Sequence, residues 1–158
     1  MTDIIMPYNL TSTNPAEEFT EVRLSKIHGL GLFAKKLIPK GTVWWHAREK
    51  DVMIITKEQF IMLDSSVKSP QMEEFMTILL IYSYYERDLD ALVFCLDDSR
   101  YVNHSTNPNS GAPKDQSAFC SVALRDIQIG EEITEDYSGY TICNWLKKYN
   151  SFFDPTCW

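Results

Sequence analysis

Apolar residues in this chain fall into short blocks, most of them too brief for a helix and rich in β-formers. Phe19 to Ser25 alternates polar and apolar in part and predicts a strand. HGLG at 28–31 reads as a glycine turn, followed by Leu32, Phe33 and Ala34, and Pro39-Lys40-Gly41 marks a second turn. Thr42 to Ala47 and Asp51 to Ile55 predict further strands, as do Leu92 to Leu96, Ala118 to Leu124 and Glu132 to Tyr137. The pattern changes in the middle. Thr56 with Gln59 forms a capping-box pattern and predicts a short helix from Lys57 to Leu63. Ser69 caps a second helix, with Pro70 at its first position and Glu73 and Glu74 in its first turn. That helix is expected to reach about Glu86. Its Met72, Phe75, Met76, Leu79, Ile81 and Tyr82 give a wide apolar face that reads as core.

These elements predict a mostly β chain with a helical insertion, an α+β class. Strands and helices do not alternate, so a doubly wound sheet is excluded. Turn formers at Asn9, Thr11, Ser12, Asn14 and Pro15 make residues 1–17 a loose N-terminal extension. Residues 18–140 form the expected domain, with the insertion at about 56–88, and 141–158 an aromatic C-terminal segment. At 158 residues the chain holds one domain with a sizeable core.

Charge narrows the partners. Asp and Glu number 22 against 15 Lys and Arg, a net charge of −7 that repels phosphate backbones and favours a basic protein or peptide. The longest apolar stretch, Ile78 to Tyr82, falls far short of the roughly 20 residues a bilayer needs. MTDIIMPYNL has no basic start, so no signal peptide is read. The expected location is cytoplasmic or nuclear, neither secreted nor membrane-bound. Cys95, Cys120, Cys143 and Cys157 form no CxxC pair, and no metal site is expected from them.

Three segments stand out together: SKIHGLGLFAKKLIPKG at 25–41, RYVNHSTNPN at 100–109 and ALRDIQIGEEITEDY at 123–137. In this order they resemble the SET-domain protein-lysine methyltransferases, through the GLG, the NHSTNPN and the GEEITEDY. The resemblance covers roughly residues 20–140. It implies a fold of several small sheets in which the NHS and EDY segments make a knot-like crossing. It implies S-adenosyl-L-methionine as cofactor and the transfer of a methyl group to a protein lysine.

The same resemblance implies roles for particular residues. His28, Leu30 and Gly31 of the loop hold the cofactor, with glycine allowing close backbone approach. Asn103 and His104 contact the cofactor and pin the crossing backbone. Arg100 is expected to tie the loop to a carboxylate. A metal role for His104 is not expected, since His28 and His46 show no ligand spacing with it. Tyr137 is the catalytic tyrosine, a stiff body with one polar atom that orients the substrate amine. Apart from the resemblance, Trp145 of the aromatic tail is assigned to the cofactor by stacking on adenine, with simple packing of the tail onto the sheet as the equal alternative.

The chain departs from the family pattern in three places. The residue two before the catalytic tyrosine is usually aromatic and is Glu135 here. A carboxylate beside the amine favours the ammonium form, the wrong one for attack. Glu135 is therefore expected at the solvent-facing rim of the lysine channel, with proton acceptance and substrate selection as the alternatives. Many relatives place Tyr-x-Gly where this chain has Trp44 and Trp45; one of the two faces the channel if the segment is a strand, and Trp45 is assigned to it. No cysteine cluster follows the domain, as expected of a small stand-alone member. Two other readings stay open: a non-catalytic module that binds cofactor or peptide, and a methyltransferase for small amines or protein N-termini. A histone-like or ribosomal protein fits the expected basic substrate.

Overall fold

The computed structural model describes residues 11–113, 119–139 and 143–152. A one-turn helix α1 (Ala16–Phe19) leads into β1 (Thr20–Leu24), β2 (Leu30–Ala34), β3 (Val43–His46) and β4 (Val52–Thr56). The helices α2 (Lys57–Ser65) and α3 (Pro70–Ile81) follow, then β5 (Ser83–Glu86) and β6 (Ala91–Cys95). The chain closes through β7 (Asn103–His104), β8 (Ser110–Gly111), β9 (Cys120–Ala123) and β10 (Glu132–Glu135), with 3-10 turns around Tyr137 and from Asn144 to Phe152.

The described residues form three small sheets. One has the order β1-β2-β10-β7, the second β3-β9-β8 and the third β4-β6-β5. The mostly β class with a helical insertion is what the sequence predicted. In the first sheet β10 lies antiparallel to β2, with Ile133 opposite Leu32, and parallel to β7, with Glu135 opposite His104. The NHS and EDY segments are thus neighbouring strands, even though they are about thirty residues apart in sequence.

Both predicted caps form. The Thr56 hydroxyl accepts from the Gln59 N–H at 3.3 Å, and the Gln59 side chain accepts from the Thr56 N–H at 2.9 Å. Ser69 accepts from the Met72 N–H, with Pro70 in the first turn. The second helix, however, ends at Ile81 and not near Glu86. Ser83 to Glu86 pair with β6, which places Tyr84 opposite Val93 and Tyr85 opposite Leu92. The Ser83 hydroxyl donates to the Leu79 carbonyl and closes the last turn. Aromatic residues that fit a pleated surface outweigh the helical run. The apolar face of α3 is also only half used: Met76, Leu79 and Leu80 are buried, while Phe75, Ile78 and Ile81 are exposed.

Two cores hold the fold. One packs Leu32, Ile38, Trp44, Ile127 and Ile133 between the first two sheets. The other joins Phe60 and Leu79 of the insertion, with Ile55 of β4 and Leu92 of β6, to Cys143 and Leu146 of the C-terminal segment. The supposed loose extension is partly core. Ala16 and Asn14 are buried, and the Asn14 amide donates to Asp51 at 3.0 Å and Asp97 at 2.7 Å. One buried and one half-buried acceptor thereby fix a segment whose turn residues read as loose. Residues 1–10 lie outside the described residues, as do Tyr140, Cys157 and the other residues of 140–142 and 153–158.

Both tryptophans of β3 are buried, where simple alternation allowed only one to face inward. The register against β9 shifts between Val43 and Trp45, and this irregularity turns both indoles in. Among the described residues, no helix is long and apolar enough to cross a membrane.

Candidate functional site

The three motif segments meet in space at Asn103 and His104. Asn103 sits in β7 beside β10, and its amide nitrogen reaches across to the glycine loop. It donates toward the carbonyls of His28 at 3.2 Å and Leu30 at 3.0 Å, and toward Glu132 Oε1 at 2.8 Å. The Nδ1 of His104 accepts from the backbone N–H of Tyr137 at 3.0 Å. The rings of His104 and Tyr137 lie 5.5 Å apart, tilted by 41°. A nitrogen that accepts from that N–H carries no proton of its own. The approach of Asp136 to the same Nδ1 at 3.8 Å is therefore not an ion pair in this tautomer.

The loop itself differs in detail from a 28–31 turn. The reversal runs from Ser25 to Gly29, with the Ser25 N–H donating to the Gly29 carbonyl at 2.9 Å and Gly29 in the left-handed region at φ 47°. Leu30 and Gly31 already belong to β2. His28 and Leu30 are exposed, Gly31 is buried. The missing side chain at Gly31 makes room for protein: a Cβ there would lie 2.3 Å from Glu132 Oε1 and 3.0 Å from the Ser25 Cβ.

Tyr137 follows β10 in a 3-10 turn, so it does not continue the strand that the sequence predicted through it. Its hydroxyl donates to the Val102 carbonyl. Burial, and then the nearby Glu135 carboxylate and Cys95, push its pKa up, so the phenol stays neutral. Glu135 is only 8% exposed, which overturns its expected place at a solvent rim. It accepts from the Ser110 hydroxyl at 2.8 Å, and the Ser110 oxygen in turn accepts from the Trp44 indole N–H at 2.7 Å. A chain of hydrogen bonds satisfies the carboxylate inside the protein, which is why it can be buried. Glu135 also opposes ionisation of Tyr84, whose pKa rises mainly through burial.

The tryptophans divide differently from the assignment made on sequence. Trp44 connects through Ser110 to Glu135, while the Trp45 indole donates to Asp97 at 2.9 Å. Trp145 lies against the insertion: its ring packs on Phe60 and Tyr85, and its N–H donates to Asp90 at 2.8 Å. None of these partners belongs to the glycine loop or to the NHS segment, so the geometry gives the indole a packing role. Asp90 takes φ 47° to accept both this bond and one from the Tyr85 hydroxyl at 2.8 Å. Arg100 ties its loop without a carboxylate. It donates to the Leu96 carbonyl and the Tyr101 hydroxyl, and its guanidinium lies over the rings of Tyr82 and Tyr101.

Sequence reasoning missed four supporting residues. Glu132 and Ser25 clamp Asn103 and the loop; Ser110 relays Glu135 to Trp44. Asn109 is buried and straddles β10, donating to the Glu132 carbonyl at 2.8 Å and accepting from the Thr134 N–H at 2.9 Å. Asn109, Glu132 and Ser25 stood inside the quoted segments, but only three-dimensional pairing distinguishes them from their neighbours. Among the described residues, no group of three or more His, Cys, Asp or Glu side chains is placed to hold a metal ion.

Comparison with known proteins agrees with this geometry. The family model described as SET domain matches residues 29–138. No curated protein matches the sequence. Among solved structures, a candidate histone methyltransferase of Plasmodium falciparum is 22% identical with a TM-score of 0.50, over 75% of this chain and 92% of that one. Polycomb Repressive Complex 2 of Chaetomium thermophilum, bound to S-adenosylmethionine in an autoinhibited conformation, is 19% identical with a TM-score of 0.58. The match covers 82% of this chain and 16% of that one. A humanized mutant of the same complex, bound to an inhibitor, gives 18% identity and a TM-score of 0.56, over 81% of this chain and 16% of that one. At these identities the structures speak for the fold, and the family model, matched over most of the sequence including Asn103, His104 and Tyr137, places this chain in the SET domain family.

Proposed function

We propose that this protein transfers a methyl group from S-adenosylmethionine to the side-chain amine of a lysine in a basic protein segment. The observation that carries the reading is the pair Asn103 and His104. One grips the glycine loop and its neighbour grips the Tyr137 backbone, so a loop, an amide and a phenol converge. That a structural neighbour holds S-adenosylmethionine adds support.

The donor set fits such a cofactor. The Asn103 nitrogen is fully used, and its oxygen accepts from no described residue, which suits a ligand ammonium. When bound, S-adenosylmethionine supplies an activated methyl group on a sulfonium. The protein's part is to hold and orient. The Tyr137 hydroxyl donates to the Val102 carbonyl, and a phenol oxygen can also accept from an amine N–H. Because the phenol stays neutral, it orients the amine without trapping it as an ion pair. Burial in an apolar channel would lower the lysine pKa from about 10.4 and supply neutral amine. The net charge of −7 draws Lys- and Arg-rich segments, histone-like or ribosomal ones among them.

The test is incubation of the full chain with S-adenosylmethionine and N-terminally blocked lysine-rich peptides, read by mass spectrometry. Methyl additions on lysine, absent with Tyr137→Phe, are expected. Cofactor binding without any S-adenosylhomocysteine formed would make the protein a binding module instead. Methylation of free amines or N-termini alone would also overturn the lysine reading.

A further inference from the structure

We infer that Glu132 is a positioning residue for the cationic end of the cofactor: it fixes the Asn103 amide so that the amide oxygen accepts from the ligand's ammonium. This rests on the cofactor reading above and adds a residue to it.

The orientation of Asn103 follows from its surroundings. Three oxygens crowd one end of the amide: Glu132 Oε1, the Leu30 carbonyl and the His28 carbonyl. Only the nitrogen end satisfies them, since a flipped amide would set its oxygen against all three. The His28 carbonyl belongs to the loop, and the Leu30 carbonyl to the first residue of β2, which pairs with Leu24 of β1. Glu132 comes from β10, a strand with a partner on each side, and is the one anchor of the three from outside the β1–β2 hairpin. Its hydrogen bond to Asn103 is also charge-assisted and hence the strongest of the three.

Glu132 is itself held. The Ser25 hydroxyl lies 2.7 Å from one carboxylate oxygen and 2.9 Å from the other, and Ser25 also accepts from the Ile27 N–H at 2.8 Å. Gly31 leaves open the volume the carboxylate fills. Ser25, Gly31 and Glu132 therefore form one device that aims Asn103. Were Glu132 only a brace for the β1–β2 hairpin, its loss would weaken every ligand of the loop alike. As a positioning residue it affects ligands that carry the amino group and spares those that lack it.

Calorimetry on the full chain distinguishes the two. The probes are S-adenosylhomocysteine and its analogue with hydrogen in place of the α-amino group, titrated into wild type and Glu132→Gln. A glutamine removes the charge and presents a donor that tolerates the flipped amide. Wild type is expected to prefer the amino-bearing probe. In Glu132→Gln the preference should narrow by about fivefold, the worth of one such hydrogen bond, while the desamino probe binds as in wild type. Equal weakening of both probes, or an unchanged preference, overturns the inference and leaves the cofactor reading standing. If wild type binds neither probe, the cofactor reading falls and takes the inference with it. Should Glu132→Gln melt far below wild type, Ser25→Ala loosens the same carboxylate from the exposed side and is expected to narrow the preference in the same direction.

Discussion

The carboxylate of Glu132 occupies the volume that a side chain on Gly31 would need, with Oε1 2.3 Å from the position of the absent Cβ. The end of a glutamate usually swings away cheaply. Here Ser25 and Asn103 hold it, so a methyl at 31 displaces a carboxylate with bonds to lose.

Gly31→Ala is therefore expected to destabilise the fold by about 1–3 kcal/mol, the usual range for overpacking. Thermal unfolding reads it. In a Glu132→Ala background the same change should cost much less, because the two residues contend for one space. Additive losses would mean that the methyl clashes elsewhere.

Tyr137→Phe removes the donor to Val102 and leaves that carbonyl unpaired, at about 1–3 kcal/mol. Methyl transfer should fall by about a hundredfold or more, in the range of a lost orienting group, while the cofactor's Kd stays within about twofold.

The raised pKa of Tyr137 has a pH consequence. Burial, then Glu135, hold the folded phenol protonated beyond the point where an unfolded tyrosine ionises, about pH 10. Its contribution to stability is intact below that pH and is lost as pH rises through the folded pKa. The rate should therefore show no falling limb from Tyr137 below about pH 10. Glu135→Gln should bring that limb lower, as a pH–rate profile would record.

Glu135→Phe tests the buried carboxylate directly. Because Glu135 is enclosed and bonded to Ser110, a bulky apolar ring must change the space around Tyr137. A shift in the ratio of mono-, di- and trimethyl products is expected by mass spectrometry. An unchanged ratio at an unchanged rate would put the carboxylate outside the substrate's reach.

Trp145→Ala distinguishes packing from cofactor stacking. Its contacts with Phe60, Tyr85 and Asp90 predict a loss of about 3 kcal/mol, as for large aromatic truncations, with no change in cofactor affinity. A weakened cofactor at unchanged melting temperature would restore the stacking role.

Local signals in this sequence were readable where chemistry is local. Thr56, Gln59, Ser69 and Pro70 announced their caps, and the three motif segments announced one another by order. Tyr82 to Glu86 misled because an apolar helical run and an aromatic strand share a composition; β6, with Val93 awaiting Tyr84, decides between them. Glu135 misled because a charge near an amine argues for solvent until Ser110 and Trp44 are seen to satisfy it. The packing of Trp145 and the burial of Asn14 depend on partners dozens of residues away, and no window of sequence contains them.

The pairing of β10 between β2 and β7 also orders events during synthesis. Leu32 is made about a hundred residues before Ile133 and waits, as part of an unfinished edge, for that partner to arrive. Tyr137 follows a few residues later. The nascent chain thus gains β10 and Tyr137 almost together, and a polypeptide that stops before them has neither. Premature termination anywhere before residue 132 should leave a product that chaperones or proteases handle as unfolded.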